Sequence, residues 1–375
     1  MMASPETYWL IGASMLILSF LPPTIGYLRA ISHASALIRP IPLENPPEIS
    51  ILLPIRNESS SIMRKLTEIA ESEYPMSRIS LLIADSCSSD NSIELAQSFL
   101  ENSQTGLSWQ FLTLDRPGKS IAINESLEKI ETDIFLMMDS DASTGPNAVG
   151  DIVSWFQVPE IGAVCGASSE ILEEEKGYRK RFNILRTSES VIDSTPIFEG
   201  SICAFRIEAL GGSGIESSIN ADDSQMAIKV RRNGFRSIMD TSIPFHEPER
   251  RKTTLKRQVR RAQGLSRTLW LNRDLCIAKN GKYTRIFRNQ FYFHLLFPWL
   301  VILSSSIIIM TSISENMNSL DFSRNRFDFS LSLLPLSLIS RTIRNLSSGI
   351  FALSYSHLLL LSGIKLNIWD PGQRG

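Results

Sequence analysis

Asp139 and Asp141 bracket a single serine directly after the apolar run Ile134 to Met138. Two carboxylates one residue apart at a strand end can both reach one hard divalent cation. Such an ion prefers oxygen ligands and commonly takes part of its shell from substrate phosphates. The same pair also suits a turn with a helix cap, and on its own it does not choose. Further on, Asn220-Ala221-Asp222-Asp223 precedes a helical pattern (Met226, Ile228, Val230) that stops at Asn233-Gly234. Acids at that position complement a helix N-terminus. Alternatively, one of them is a general base that takes a proton from an acceptor hydroxyl. Gly118-Lys119 opens another helix, where glycine lets phosphate approach the backbone and the N-terminal amides favour anions. A Walker loop is absent, and a solvated lysine at a turn is the alternative. Lys256-Arg257-Gln258-Val259-Arg260-Arg261 is either an anionic-lipid contact or the source of an arginine for a departing diphosphate.

These residues need a frame. Ile49 to Ile55 reads as a buried strand after the prolines Pro42, Pro46 and Pro47. Ile62, Leu66, Ile69 and Ala70 follow at helical spacing. Ile79 to Ala84, Trp109 to Leu114 and Ile134 to Met138 are further strands, separated by helical stretches, one of them over 119–130. Strands alternating with helices predict a mostly parallel sheet covered on both faces. Ligands of such sheets bind at the carboxyl ends of the strands. Those ends are polar here: Arg56-Asn57-Glu58, then Asp85 to Asp90, then Asp115 to Lys119, then Asp139 to Asp141. Each is an ordinary turn alone, and four in succession predict one shared site. Residues 173–181 form a mixed charge run, read as a solvated face.

Lys+Arg 38 against Asp+Glu 39 gives a net charge of -1 and no basic excess of the kind nucleic-acid binders carry. Cys87, Cys165, Cys203 and Cys276 form no CxxC pair and read as reduced thiols. Thr7 to Leu28 is free of charge and long enough to span a bilayer, with Pro22 and Pro23 expected to kink it. Residues 1–7 lack a basic n-region, so this run reads as an uncleaved anchor rather than a signal peptide. Further spans are expected over about 291–313 and 345–364, with a shorter apolar piece over 329–340 that suits an interfacial or re-entrant segment. Arg29 and Arg39 follow the first span, and Lys279, Lys282, Arg285 and Arg288 precede the second. The positive-inside rule then predicts a multi-pass membrane protein with its catalytic domain in the cytoplasm. The expected divisions are 1–29 anchor, 30–48 linker, 49–270 catalytic domain, 271–290 basic juxtamembrane segment and 291–375 membrane region.

The ordered set resembles family 2 glycosyltransferases of the GT-A fold, the superfamily of dolichyl-phosphate sugar synthases, ceramide glucosyltransferases, and cellulose and hyaluronan synthases. Pro54-Ile55-Arg56-Asn57-Glu58 looks like the strand ending P-x-x-N-E that lines the nucleotide pocket. Asp85 matches the first Asp of D-D-x-S-x-D, which holds the nucleobase. Ser86 departs from the second Asp, while Ser88 and Asp90 agree. Arg116 to Asn124 resembles K-x-G-K-x-x-A-L-N beside the donor. Asp139 and Asp141 fall on the metal-binding D-x-D. Phe198 to Arg206 is similar to a stretch along the acceptor side. Asp222-Asp223 with Gly234 fits E-D-x-x-L…G, which makes Asp223 the base. Gln258 and Arg261 fit Q-x-x-R-W, with Ala262 where the Trp would stand.

The resemblance implies a GT-A (nucleotide-diphospho-sugar transferase), Rossmann-like fold with one N-terminal and about two C-terminal transmembrane helices. It implies an inverting glycosyltransferase that uses Mg²⁺ or Mn²⁺ and a UDP- or GDP-sugar. Pro54, Arg56, Glu58, Asp85, Lys119 and Asp139 are its expected donor residues. Asp139 and Asp141 are its metal residues, and Asp223, Asp222, Arg261 and Gln258 its catalytic ones. The basic stretch from Arg250 to Arg267, close to the second span, predicts a membrane lipid as acceptor: a polyprenyl phosphate, a sphingoid or another glycolipid. Ala262 and the few spans predict addition of one sugar per encounter. The rivals are a processive polysaccharide synthase, which needs a channel, and an inactive anchored scaffold, which gains nothing from clustered acids. A nucleotidyltransferase fused to anchors is expected to begin with a glycine-rich loop rather than Pro-Ile-Arg-Asn-Glu.

Overall fold

The computed structural model describes residues 4–32, 37–103, 105–169, 176–247, 255–279, 281–318 and 341–366. The chain forms two compact units. One comprises Met1–Ser32, Glu173–Arg181 and Thr254–Lys365, and the other His33–Leu172, Phe182–Thr253 and Leu366–Gly375. The chain opens with helix α1 (Pro5–Ser32) of the first unit.

The second unit is an α/β sandwich. Its elements run β1 (Ile49–Ile55), α2 (Ile62–Ala70), β2 (Ile79–Asp85), α3 (Ser92–Asn102), β3 (Ser108–Thr113), α4 (Lys119–Leu127), β4 (Ile134–Met138), β5 (Ser143–Thr144) and α5 (Ala148–Ser154). Then follow β6 (Ile161–Ser168), α6 (Lys176–Ile192, of which the last part belongs here), β7 (Ile202–Arg206), α7 (Asp222–Arg232) and β8 (Arg236–His246). All seven residues of β1 are buried. Successive side chains of a strand point to opposite faces, so β1 feeds two cores. Ile49, Ile51, Leu53 and Ile55 pack with Ile62 and Leu66 of α2 and with Val149 and Ile152 of α5. On the other face Leu52 joins Ala122 and Ile123 of α4 and Met226 and Val230 of α7.

The eight strands lie in the order β3-β2-β1-β4-β7-β6-β8-β5. The half holding β1 to β4 is parallel, as the alternating pattern predicts. The other half is mixed, because β7 runs antiparallel to both β4 and β6, while β6 and β8 are parallel. After β1 the chain builds outward to β2 and β3, then crosses back to place β4 on the other side of β1. That reversal opens a crevice at the carboxyl ends of β1 and β4, where open α/β sheets bind ligands.

The first unit is helical. α8 (Leu255–Leu271) leads to α9 (Lys282–Phe291), which continues through a π-helical turn at Tyr292–Leu296 into α10 (Phe297–Asn318). Pro298 follows that turn. It has no N–H to give and crowds the carbonyl four residues back, which accounts for the local widening. α1 runs unbroken through Pro22 and Pro23 and packs on α10. A Cβ at Gly12 would stand 2.9 Å from Ile308 Cγ1 and 3.2 Å from the Ser304 carbonyl, so a small residue sets this approach.

Among the described residues two helices are long and apolar enough to cross a membrane, Pro5–Ser32 and Lys282–Ser314. The third expected span, over 345–364, forms α11 (Arg341–Leu361) but does not reach the same apolarity. Its Ser356 and His357 are buried, and the His357 ring hydrogen-bonds Ser266 of α8 and the Trp299 indole of α10, each at 3.0 Å. The apolar piece expected over 329–340 lies outside the described residues, as do residues 173–175 of the charge run and Arg250, Arg251 and Lys252 of the basic stretch.

Candidate active site

Asp139 follows the last residue of β4, and its N–H donates to the Ser201 carbonyl at 3.1 Å, which ties it to the start of β7. Lys119, the first residue of α4, reaches the same place. Its Nζ lies 2.8 Å from Asp139 Oδ1 and 3.4 Å from Asp222 Oδ2. One ammonium thus joins three segments that are far apart in sequence. Burial works against the Lys119 charge, yet Asp139 and Asp222 outweigh it and hold the amine above the ordinary lysine range. Burial also raises the Asp139 carboxyl, with Lys119 opposing and Asp141 adding to the rise.

Asp222 and Asp223 begin α7, as expected. Asp223 Oδ1 accepts the Ser224 N–H at 2.7 Å, while its Oδ2 faces Gly200, where a Cβ would stand only 3.0 Å away. Burial pushes the Asp223 carboxyl up to about 7, and the neighbouring Asp222 charge pushes it the same way. A carboxyl poised near neutrality is matched to proton transfer at physiological pH. The loop before α7 is pinned to α4. Asn124 Nδ2 donates to the Ile215 carbonyl at 2.9 Å and its Oδ1 accepts the Ile215 N–H at 2.8 Å, while Ser120 Oγ donates to the Ile219 carbonyl at 3.1 Å.

The donor-side residues are more buried than their expected role suggests. Pro54 lies inside β1 and Arg56 follows its end, half-buried. Glu58 is 1 % exposed, and its Oε2 accepts from Ser61 Oγ at 2.6 Å at the start of α2. Asp85 is 2 % exposed, and its carboxylate takes the Ser88 N–H at 3.1 Å. Ser86 stands where the resemblance expects a second Asp. Its hydroxyl accepts the Gly118 N–H at 2.7 Å, so it joins the loop after β2 to the head of α4. Asp90 accepts from the Ser59 and Ser92 N–H groups, both at 3.1 Å, and braces the loop after β1 against α3.

Several placements depart from expectation. Arg206 pairs with Ile134 at the opposite end of β4 from Asp139, because β7 runs antiparallel to β4. It donates to the Phe156 carbonyl at 2.9 Å there, so this end of the Phe198 to Arg206 stretch leaves the crevice. Asp115 and Arg116 follow the sheet's outer strand and are exposed. Gln258 and Arg261 lie on α8 of the helical unit, which the expected 49–270 domain had included.

One contributor was missed. Arg64 Nη2 donates to the carbonyls of Asp141 at 2.9 Å and Ser140 at 3.3 Å, and another guanidinium nitrogen reaches Ser143 Oγ. Glu68 Oε1 takes Thr144 Oγ1 at 2.6 Å and Lys65 Nζ at 3.0 Å. The polar face of α2 therefore cradles the whole Ser140 to Thr144 turn. The available signal was the opposite charges of Arg64 and Glu68 at helical i,i+4 spacing.

Comparisons with known proteins identify the family and the fold. Residues 50–211 match Glycosyl transferase family 2, and residues 134–364 match Glycosyl transferase family group 2. The chain belongs to the family 2 glycosyltransferases. It is similar to a poly-beta-1,6-N-acetyl-D-glucosamine synthase of Staphylococcus epidermidis, 25% identical over 244 residues, 59% of this chain and 56% of the relative. It is also similar to a hyaluronan synthase of Streptococcus pyogenes, 23% identical over 239 residues, 57% of this chain and 56% of the relative. Each match thus spans little more than half of the relative. Among solved structures, the mannosyltransferase PcManGT from Pyrobaculum calidifontis, in complex with GDP-Man and Mn²⁺, matches with a TM-score of 0.82. At 23% identity, over 94% of this chain and 99% of that one, the likeness establishes the GT-A fold.

For a glycosyltransferase of this fold the question of a metal follows. Among the described residues no group of three or more His, Cys, Asp or Glu is arranged to hold one. Asp139 and Asp141 offer hard oxygen ligands in a pocket of excess negative charge, which suits a cation completed by diphosphate and water. The residues fit that arrangement and do not form a cage by themselves.

Proposed function

We propose that this chain is an inverting glycosyltransferase that moves a single sugar from a UDP- or GDP-sugar to a membrane lipid. The observation that carries the reading is the Lys119 bridge, which draws the Asp139 end of β4 and the Asp222-Asp223 start of α7 into one crevice. A sugar diphosphate held at Asp139 and Lys119 would present its anomeric carbon toward Asp223. Asp223 removes the proton from the acceptor hydroxyl as that oxygen attacks in line. Asp222 helps to hold Lys119 in place. A bound Mg²⁺ or Mn²⁺, held by Asp139 and Asp141, would neutralise charge building on the leaving diphosphate. Lys119 supplies a second positive charge to the same group. Pro54, Arg56, Glu58 and Asp85 shape the nucleotide side, largely by fixing the loops. The roles of Gln258 and Arg261 rest on the resemblance alone.

Two apolar helices support a membrane-anchored enzyme, and the basic flanks at Arg29 and Lys279 to Arg288 support a cytoplasmic catalytic domain. The divisions 1–29, 30–48, 49–270, 271–290 and 291–375 are our proposed functional organisation, with α8 at the end of 49–270 belonging to the helical unit. The similarity to a hyaluronan synthase and a poly-N-acetylglucosamine synthase favours a second reading, a processive polymerase. One experiment separates them. Detergent-solubilised protein is incubated with a panel of labelled UDP- and GDP-sugars and extracted membrane lipids. One discrete organic-extractable product supports the proposal, and a ladder of water-soluble glycan supports the polymerase.

A further inference from the structure

Lys119 holds more than a donor contact. Its Nζ sits 2.8 Å from Asp139 Oδ1, with the two side chains only 20% and 29% exposed. A divalent ion drawn to that oxygen meets an ammonium already there, and like charges at such range repel strongly where water is scarce. The lysine's backbone is fixed: Gly118 N–H is tied to Ser86, while Ser120 and Asn124 anchor α4 to the loop before α7. Its four-carbon stem is not fixed, and an ammonium turns readily from one anion to another. The described residues contain no three-ligand protein cage that would hold an ion without help.

We infer that Lys119 is a built-in counter-cation that withholds Asp139 from divalent metal until a nucleoside diphosphate arrives, so that metal and donor bind as one event. The inference rests on the donor and metal reading above. In the donor-free protein Lys119 is paired with Asp139 and Asp222. When a diphosphate enters, Lys119 turns to its oxygens, Asp139 is released, and the ion is held between carboxylates and phosphate. Coupling of this kind is reciprocal: nucleotide must tighten metal by the same factor as metal tightens nucleotide.

The test is Mn²⁺ binding by the full-length protein in detergent, read from the electron paramagnetic resonance signal of free Mn²⁺, without nucleotide and with UDP or GDP. For the unmodified protein we expect UDP or GDP to tighten Mn²⁺ at least about tenfold, within the usual range of such couplings. Lys119→Met should tighten nucleotide-free Mn²⁺ at least about tenfold and shrink the coupling to about threefold or less. Should that variant lose its near-ultraviolet dichroism, Lys119→Gln serves for the same measurement. Asp141→Ala should lose Mn²⁺ in every arm, which identifies the ion as the one at this site. Equal Mn²⁺ affinity with and without nucleotide, lost in Asp141→Ala, would overturn the inference and leave the metal site standing. So would a Lys119 variant whose nucleotide-free affinity does not rise. No Mn²⁺ binding that depends on Asp141 in any arm would overturn the metal reading and this inference together.

Discussion

Replacing Asp223 by Asn removes a charge that the folded protein accommodates poorly. In the folded state its carboxyl lies at about 7, against an ordinary value of 3.8. Between those values the folded chain holds a proton that the unfolded chain has lost, so its stability falls as pH rises through that window and levels off above it. At about 1.4 kcal/mol per pH unit, the full displacement corresponds to about 4 kcal/mol. Asp222 adds to that displacement and Lys119 opposes it, and an Asn keeps an oxygen for the Ser224 N–H. A net gain of about 1 to 3 kcal/mol at pH 8 is therefore expected, or several degrees in melting temperature for a chain of this size. The gain should shrink toward pH 4 to 5, where the native Asp is protonated anyway. Turnover should fall by about 10² to 10⁴ while donor affinity holds, because a base acts in the transition state. The assay is intrinsic-fluorescence melting in chelator at pH 5 to 8, beside steady-state transfer at saturating donor. An Asn variant less stable than the parent at pH 8, or a difference that ignores pH, would refute the reasoning. A loss of donor affinity with normal turnover would move Asp223 to the donor site.

Asp141→Ala should abolish transfer while melting stays cooperative, and excess chelator should do the same to the parent; full turnover in chelator would end the metal proposal. Gly200→Ala places a Cβ 3.0 Å from Asp223 Oδ2. Moving the base by a few tenths of an ångström should lower kcat by about ten- to a hundredfold with little change in KM, and an unchanged kcat would show that the base is not held there. Arg64→Ala frees the Ser140 and Asp141 carbonyls; we expect nucleotide-dependent Mn²⁺ binding to weaken several-fold, in line with lost outer-shell support, and unaltered binding would remove α2 from the site. For orientation, a cysteine introduced at the exposed Ser217 should resist a membrane-impermeant thiol reagent in intact cells, and ready labelling would reverse the proposed topology.

The amino-acid sequence determined the parallel half of the sheet and its polar strand ends. Strands buried on both faces must be near-continuous apolar runs, and β1, β2 and β4 are such runs, so Asp85 and Asp139 could be placed at strand ends before any coordinates. The start of α7 at Asp222-Asp223 was equally legible from its turn residues. Tertiary structure alone decided the partners. β6 is a buried run while β8 exposes several of its residues, helices separate β6, β7 and β8 as they do the parallel strands, and the antiparallel entry of β7 between β4 and β6 is a pairing that this chain order does not fix. That reversal carries Arg206 away from the crevice while leaving Ser201 in it. The meeting of Lys119 with Asp222, and of Gly200 with Asp223, joins residues distant along the chain, and no local spacing encodes such an approach. Arg64 and Glu68 illustrate the same limit. A charged helix face reads as solvent-facing, and only the turn after β4, folded over it, converts those charges into hydrogen bonds that hold Ser140, Asp141 and Thr144.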